Sequence, residues 1–257
     1  MPISNPNYMS NIATAVELFL RRHNHKKLQP KAALIDMDGV LYDSMKNHVE
    51  AWFRTMSAIG IECDKNEFYL YEGRTGASTI NILFNRCRGR NATEQEIKEL
   101  YAEKTRQFAL LPDIVPMPGA ADMIAGLQNA GIRPVLVTGS GQGSLLNRVA
   151  HDYPGVFTPE YMVTAYDVKF GKPHPEPYLM GLQKANAKAH EAFVIENAPL
   201  GVEAGVAAQI FTVAVNTGPM PDCALSDAGA NLIYRSMPDF AAGISGFCST
   251  LKNTCIE

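Results

Sequence analysis

The sequence predicts an α/β fold, a parallel-sheet core with an inserted α-helical cap domain, on two observations. From residue 112 onward, short apolar segments alternate with amphipathic segments that have the spacing of helices. This alternation is the pattern of parallel strands joined by crossover helices. Between residues 45 and 111, by contrast, no strand-like run stands out. That stretch therefore indicates a helical unit of its own, inserted after the first core strand.

The core strands are predicted from apolar runs that end at polar or turn-forming residues. The first covers residues 31–35, ends at Asp36 and is followed by a turn at Gly39. The later strands are expected at residues 133–138, 161–164, 192–196, 210–216 and 231–234. Helices between them imply right-handed crossovers, which bring the strands together in one sheet.

Three helices are predicted within the inserted unit, at residues 47–60, 76–88 and 92–111. The third contains a capping box formed by Thr93 and Glu96. A cluster of prolines begins at residue 112 and breaks the helical pattern.

These elements divide the chain into a core of residues 1–44 and 115–257 and a cap domain of residues 45–114. Apolar residues recur at helical spacing between residues 9 and 22. Residues 1–30 are therefore expected to add an accessory N-terminal helix to the core.

Composition excludes several kinds of partner. The 257 residues carry a net charge of −3 and a pI near 6.1, so they create no basic field of the kind that binds nucleic acid. No apolar run approaches the roughly 20 residues that span a bilayer. The five cysteines are scattered, without a Cys-x-x-Cys pair, as is typical of reduced thiols. We expect a cytoplasmic monomer without nucleic-acid or membrane partners.

Two carboxylates follow the first strand. Asp36 and Asp38 stand two residues apart in the segment LIDMDGVLYDS, so both can reach the carboxyl edge of the sheet, where open α/β folds bind ligands. Carboxylates confined together repel each other unless a cation or a shared proton relieves them. Mg²⁺ is the usual cation where the substrate is a phosphate. The alternative is a turn with two solvated aspartates, because Asp-x-Asp-Gly alone is a common pattern.

A second polar cluster follows the next strand. Thr138 ends that strand, and Gly139, Ser140 and Gly141 lead into a helix. Backbone N–H groups of such a loop form an anion cradle, and the Thr138 hydroxyl can donate to a phosphoryl oxygen. A dinucleotide-binding fingerprint is a competing interpretation, but it requires Gly-x-Gly-x-x-Gly, which this loop lacks. A nucleophilic Ser140 would need Gly-x-Ser-x-Gly and a partner histidine, and neither is evident.

Two further polar sites follow later in the chain. Lys172 lies between Gly171 and Pro173, a frame that can position a lysine to neutralise phosphate and carboxylates. Most lysines are instead solvated surface charges. Glu196 and Asn197 end another strand and could complete an octahedral Mg²⁺ shell. A helix cap at Asn197 is the alternative.

In the order and spacing of these four segments, the chain resembles the haloacid dehalogenase-like phosphotransferases, in the branch around β-phosphoglucomutase. The matching segments are DMDGVLYDS, VTGS, the lysine of GKPHPEPY, and ENAPLGV. The resemblance covers about residues 32–234. It implies a Rossmann-like core whose helical cap is inserted just after the first segment.

The resemblance also implies a role for each segment. Asp36 would be the nucleophile that forms an aspartyl-phosphate, and Asp38 would be the general acid and then the base for water. Thr138 and Lys172 would hold the phosphoryl group. The implied cofactor is Mg²⁺, with ligands from Asp36, Asp38, Glu196 and Asn197. The family usually has Asp at position 197, so the neutral amide contributes less negative charge to the metal site.

The cap residues would decide the substrate. His48 matches a position that assists acid–base exchange in the mutase, although the polar face of an amphipathic helix is an equally good interpretation. Where the mutase presents a lysine and an arginine to the sugar phosphate, this chain has Glu72 and Gly76, and Arg74 offers a phosphate contact from a different place. The segment EGRTGASTINI is most similar to a clade that hydrolyses inorganic pyrophosphate. Glu72 could reach the metal of Mg-pyrophosphate while excluding a bulky sugar.

We therefore expect a Mg²⁺-dependent phosphohydrolase that acts on a small phosphorylated substrate, with inorganic pyrophosphate preferred. The alternatives are β-phosphoglucomutase-like phosphoryl transfer and hydrolysis of small sugar phosphates. A non-catalytic phosphate-binding module is a further alternative. It is disfavoured because both aspartates, the lysine and the threonine are all present.

Overall fold

A computed structural model gives the backbone of residues 6–257 and the side chains of residues 11–257. Its strands are β1 (Ala32–Ile35), β2 (Tyr42–Asp43), β3 (Val115–Pro116), β4 (Arg133–Val137), β5 (Met162–Val163), β6 (Ala192–Glu196), β7 (Phe211–Val215) and β8 (Leu232–Tyr234). Its helices are α1 (Pro6–His23), α2 (Met45–Ala58), α3 (Glu67–Leu70), α4 (Gly76–Arg88), α5 (Glu94–Ala109), α6 (Ala120–Asn129), α7 (Gly143–Asp152), α8 (Glu176–Lys184), α9 (Pro199–Ala207), α10 (Asp222–Asp227) and α11 (Met237–Asn253).

Six strands form a parallel sheet in the order β5-β4-β1-β6-β7-β8. Each predicted strand is present, with bounds that differ by at most one residue. The first strand, β1, lies between β4 and β6, and the four predicted polar segments follow β1, β4, β5 and β6. The predicted α/β fold is confirmed, and it brings these segments to one edge of the sheet.

Both faces of the sheet are covered, as expected for parallel strands. Ala33 and Ile35 point to one face, where they join a core that includes α6 and α11, whereas Leu34 points to the opposite face. Helix α1 packs on the first face beside α11, burying Ile12 and Phe19 and leaving Leu18 exposed. The predicted accessory helix is thus present over the described part of residues 1–30.

Helices α2 to α5 have a hydrophobic core of their own. Its largest members include Trp52, Phe68 and Phe84, and none of them belongs to the cores of the sheet. The predicted capping box is present, with Thr93 and Glu96 each accepting the other's backbone N–H. Helix α3, a single turn, lies outside the predicted helices because four residues carry too little periodicity to be recognised.

Strands β2 and β3 pair antiparallel where the chain leaves the sheet domain and returns to it. They form a two-stranded connection between the helical unit and the core. The division at residues 44/45 and 114/115 remains a prediction. Within the described part of the chain, no helix combines the length and the apolar character needed to cross a bilayer.

Candidate active site

Strand β1 delivers Asp36 and Asp38 to the carboxyl edge of the sheet. The Asp36 backbone N–H donates to the Ile195 carbonyl at 3.0 Å, which extends the ladder with β6. Both aspartates are buried, 4% and 9% exposed. The chain then turns at Gly39, where φ is +79° and a Cβ would lie 2.0 Å from the amide nitrogen of Asn197. Only glycine allows this turn and this close approach.

Lys172 lies buried at the centre of the site. Its Nζ is 2.5 Å from Asp36 Oδ1 and 2.6 Å from Glu196 Oε1, and it donates to the Val137 carbonyl at 3.0 Å. Burial alone would lower the pKa of Lys172, but the two carboxylates raise it above its ordinary value. The lysine therefore stays charged and fixes the orientation of the Asp36 carboxylate.

The Asp36 carboxyl lies in surroundings that disfavour its charge. Burial raises its pKa to about 8, Lys172 opposes this rise, and the carboxylates of Glu196 and Asp38 add to it. A carboxylate nucleophile has to be ionised. A divalent cation beside Asp36 would favour the ionised form in the same way that Lys172 does.

Glu196 is buried behind the lysine, with both side-chain oxygens hydrogen-bonded. Oε1 accepts from Lys172 Nζ and from the Tyr178 hydroxyl at 2.7 Å. Oε2 accepts from the backbone N–H groups of Asn197 and Ala198, at 3.0 and 3.2 Å. The metal-ligand role of Glu196 remains a prediction, and this geometry instead favours a positioning role toward Lys172.

Asn197 meets a cap residue across the site. Its Nδ2 donates to Glu72 Oε1 at 2.7 Å, and its Oδ1 is buried without a hydrogen-bond partner among the described residues. Burial raises the pKa of Glu72 well above its ordinary value, the Asn197 hydrogen bond opposes this rise, and the carboxylates of Asp36, Glu196 and Asp38 increase it. A buried amide oxygen without a hydrogen-bond donor is suited to be the ligand of a cation.

The donor set fits Mg²⁺. Four carboxylates converge here against three cations, so the site has a formal excess of one negative charge; they are Asp36, Asp38, Glu72 and Glu196, with Lys172, Lys104 and Arg74. Among the described residues, no three His, Cys, Asp or Glu side chains are arranged to hold a metal by themselves. The Asn197 oxygen, backbone carbonyls, water and substrate oxygens would have to complete a shell around the aspartates.

Asp38 is the end of a hydrogen-bonded chain that reaches into the cap. Its Oδ1 accepts from the Ser44 hydroxyl at 2.5 Å and lies 2.9 Å from His48 Nε2. The other ring nitrogen, His48 Nδ1, is 2.7 Å from Lys104 Nζ. Burial and the Lys104 charge lower the pKa of His48. A neutral ring that accepts from Lys104 and donates to Asp38 satisfies both contacts.

Lys104 is a site residue that the sequence reasoning missed. It is 2% exposed on α5, and burial lowers its pKa to about 8. Its Nζ also donates to Gln142 Oε1 of the core at 3.3 Å. The sequence does contain a sign that Lys104 is buried. Lys104 stands four residues from both Leu100 and Phe108, so it lies on the same buried face of the helix as these two apolar residues. A lysine in the apolar stripe of an amphipathic helix needs a polar partner.

The loop after β4 is ordered by its own side chains. Thr138 Oγ1 accepts from the Ser140 backbone N–H at 3.0 Å, which leaves the threonine hydroxyl free to donate. Ser140 Oγ accepts from the Gln142 N–H at 3.2 Å. The Gly141 N–H donates to the Tyr101 hydroxyl of the cap at 3.2 Å, so this amide faces the cap.

Most predicted site residues line one cavity of about 60 Å³ between the core and the cap. The predicted residues in its wall are Asp36, Asp38, His48, Glu72, Arg74, Thr138, Gly139 and Ser140. Arg74 Nη1 donates to Ser78 Oγ at 3.3 Å, and its Nε is buried without a partner. Among residues 11–257, no carboxylate forms an ion pair with this guanidinium. Arg74 therefore presents an uncompensated cation to the cavity.

The cap is closed against the core. The loop at Gly73–Thr75 lies between two core loops so closely that a Cβ on Gly139 would be 2.6 Å from the Gly73 carbonyl oxygen. A Cβ on Gly171 would be 2.9 Å from the Thr75 backbone nitrogen. Neither core glycine has a positive φ. A larger residue is disfavoured at both positions because the cap backbone approaches so closely, and not because of an unusual backbone conformation.

Comparison with known proteins agrees with this geometry. The family model described as haloacid dehalogenase-like hydrolase matches residues 30–209, so the chain belongs to that family. The relatives and structural neighbours include β-phosphoglucomutases, which confirms the resemblance to that branch.

Two of the relatives are named as phosphatases of small molecules, and one solved structure is described as a mutase. Hexitol phosphatase A of Escherichia coli is 31% identical over 72% of this chain and 83% of its own length. The phosphorylated carbohydrates phosphatase of Thermotoga maritima is 29% identical over 80% of this chain and 94% of its own length. A solved structure described as a putative β-phosphoglucomutase from Bacteroides vulgatus is 51% identical, with a TM-score of 0.91 over 95% of this chain and 99% of its own.

Proposed function

We propose that this protein is a Mg²⁺-dependent phosphatase in which Asp36 attacks the phosphorus of a small phosphorylated substrate. The observation that carries the proposal is the contact of 2.5 Å between Lys172 Nζ and Asp36 Oδ1, where Asp36 lines the cavity between the core and the cap. The lysine holds one carboxylate oxygen, which leaves the other to form the bond to phosphorus. Asp36 then carries the phosphoryl group as an aspartyl-phosphate, and water hydrolyses it.

Asp38 supports both steps by moving a proton. In the first step it protonates the oxygen of the leaving group, and in the second it removes a proton from water. His48 and Ser44 both contact Asp38 Oδ1, so its other oxygen is available to the substrate. Burial raises the pKa of Asp38, but His48, Ser44 and Lys104 outweigh it and lower the pKa. This favours the base form at rest, and an incoming phosphate dianion would raise the pKa toward the acid form.

Mg²⁺ would be held by Asp36, Asp38 and the unpartnered oxygen of Asn197. Its contribution when bound is to neutralise the negative charge that the carboxylates and the phosphoryl group bring together. Lys172 contributes a second fixed positive charge at the same place, while Thr138 can donate a hydrogen bond to a phosphoryl oxygen.

We propose inorganic pyrophosphate as the preferred substrate, on the character of the cap side of the cavity. Arg74 and Lys104 bring two cations without carboxylate partners, which suits a leaving group that is itself an anion. Glu72 contacts Asn197 at 2.7 Å and is thereby within reach of the proposed metal.

A small sugar phosphate is the second candidate, and the names of the relatives favour it. The matched phosphatases are named for hexitol phosphates and phosphorylated carbohydrates, and none of the named relatives is a pyrophosphatase. β-Phosphoglucomutase-like transfer is a variant of this candidate. A non-catalytic module is disfavoured, because Asp36, Asp38 and Lys172 are assembled in one site.

Phosphate release tests these candidates. The purified protein is assayed with Mg²⁺ against pyrophosphate, glucose 1-phosphate, several hexose phosphates and hexitol phosphates, with a separate mutase assay. We expect the highest kcat/KM for pyrophosphate, and Glu72→Ala should lower it more than it lowers hydrolysis of an aryl phosphate. A sugar phosphate with a higher kcat/KM would replace pyrophosphate, and an equal effect of Glu72→Ala on both substrates would remove Glu72 from the proposal.

We retain the expectation of a cytoplasmic monomer as part of this proposal. All five cysteines are free thiols, which suits a reducing compartment. Size-exclusion chromatography with light scattering tests the oligomeric state, and a mass near 28.1 kDa is expected.

A further inference from the structure

An open groove of about 640 Å³ lies on the outer side of the cap loop, where the start of α4 meets the loop that carries Lys172. Its wall comes from both domains. The cap contributes Arg74, Thr75 and Ser78, and the core contributes Lys169 and His174 among others. Arg74 lines this groove as well as the catalytic cavity, so the two spaces share one cationic side chain.

The groove is basic. Arg74, Lys169 and His174 line it, and no aspartate or glutamate of residues 11–257 does. The nearest acid on this loop, Glu176, accepts from the backbone N–H groups of Lys169 and Phe170 at 2.9 Å each and lies 4.0 Å from His174 Nδ1. The Glu176 charge offsets one of the two fixed positive charges of Arg74 and Lys169, so the groove keeps a net positive charge. His174 Nδ1 accepts from the Glu176 N–H at 3.1 Å, so the neutral ring carries its proton on Nε2.

The Arg74 guanidinium indicates where an anion would bind. Within residues 11–257 it forms no ion pair with a carboxylate, and only the Ser78 hydroxyl accepts from it, through Nη1. A cation at the wall of a groove without a carboxylate partner is a group that an anion can neutralise. Phosphate oxygens are the acceptors that match a guanidinium best.

The groove exists only while the cap is closed. Its core wall includes Gly171, where a Cβ would be 2.9 Å from the Thr75 nitrogen of the cap wall. An anion in contact with Arg74 on one side and Lys169 and His174 on the other would bind the closed form alone. A ligand that binds one of two forms shifts the equilibrium toward that form.

We propose that this groove binds a second small phosphate-bearing anion, held by Arg74 of the cap and by Lys169 and His174 of the core, and that the bound anion keeps the cap closed. The ligand class includes free inorganic phosphate and phosphorylated small molecules. Since substrate entry and product release require the cap to open, the anion slows turnover.

Inhibition kinetics test this, and they rest on the proposed phosphatase function. Phosphate or glucose 6-phosphate is added at fixed Mg²⁺, and kcat and KM are determined separately with an aryl phosphate, because phosphate is the leaving group of pyrophosphate and would lower kcat from the catalytic site as well. An anion bound only at the catalytic site would raise KM alone. We expect inorganic phosphate also to lower kcat at least threefold. The same effect with glucose 6-phosphate would show that an esterified phosphate is accepted as well.

The double variant Lys169→Ala/His174→Gln should keep its kcat without added phosphate and lose most of the decrease in kcat on adding it. Glutamine retains an acceptor for the Glu176 N–H. Lys98→Ala, which removes an exposed lysine of α5 remote from the groove, is the matched control and should respond as the unaltered protein does. Purely competitive inhibition of the unaltered protein, or an equal decrease in kcat in the double variant, would overturn the proposal.

A binding measurement separates this inference from the proposed function. Inorganic phosphate is titrated calorimetrically into Asp36→Asn with Mg²⁺ present. Two sites are expected, reduced to one when Lys169→Ala and His174→Gln are added, and a number of sites that these two substitutions leave unchanged would overturn the groove even if the protein has no measurable turnover. Conversely, failure of every substrate in the panel would reject the phosphatase proposal and leave the two-site result intact.

Discussion

Gly139→Ala tests whether catalysis requires the cap to close as tightly as it does here. Position 139 has no positive φ, so alanine is compatible with its backbone. The new Cβ would lie 2.6 Å from the Gly73 carbonyl oxygen, whereas ordinary contact begins at 3.4 Å. The cap loop would have to retreat by about 0.8 Å to remove the overlap.

A shift of that size separates Glu72 and Arg74, which belong to the same loop, from their places at the cavity. Misplacement by about 1 Å can cost on the order of 100-fold in rate. We expect kcat/KM of Gly139→Ala to fall by roughly 10- to 100-fold, with the melting temperature unchanged, because the clash exists only in the closed form.

The assay is Mg²⁺-dependent phosphate release with the best substrate of the panel, paired with a thermal melt. Gly143→Ala is the matched control, because a Cβ at that position has no neighbour within 4 Å, and it should keep full activity. Gly171→Ala, with its Cβ 2.9 Å from the Thr75 nitrogen, should show a smaller loss than Gly139→Ala. Unchanged kcat/KM in Gly139→Ala would refute the reasoning that tight closure is needed.

Three further predictions concern the charges of the site. Lys172→Met should lower the free energy of unfolding by about 3–5 kcal/mol in urea titrations without Mg²⁺, since two buried carboxylates lose their cation; a stability equal to that of the unaltered protein would contradict the ion-pair account. Asn197→Asp should lower the Mg²⁺ concentration for half-maximal activity by adding a charged ligand, and an unchanged Mg²⁺ dependence would remove position 197 from the metal site. The raised pKa of Glu72 means that the folded state holds a proton that the unfolded state releases near pH 4.5, so stability without Mg²⁺ should fall as pH rises above that value. Melting curves of Glu72→Gln should show a shallower fall, and identical slopes would show that Glu72 is not the source.

The sheet and its catalytic edge could be predicted because their signals are local. An apolar run followed by Asp36 and Asp38 identifies β1 and the site together, and the Gly-Lys-Pro frame at Lys172 identifies a fixed lysine in the same way. The strand order then brings residues far apart in sequence to one edge without further information.

The contacts made by cap residues could not be predicted in this way, because they depend on how separate helices pack against one another. Lys104 reaches His48 from another helix, and only the packing of α2 against α5 brings the two together. The direction of the Glu196 side chain could not be predicted either. Its sequence position beside Asn197 suggests a metal ligand, but its oxygens accept hydrogen bonds from Lys172 and from the backbone. Such choices are set by hydrogen-bond satisfaction in the folded state.

The proposed function depends on a covalent bond from Asp36 to phosphorus. The direct measurement is acid quenching during the first turnover with ³²P-labelled substrate, followed by peptide mapping of the labelled protein. We predict label on the peptide of residues 32–46 and, on fragmentation, at Asp36 rather than at Asp38 or Asp43. Label on any other residue, or none while phosphate is being released, would contradict the account.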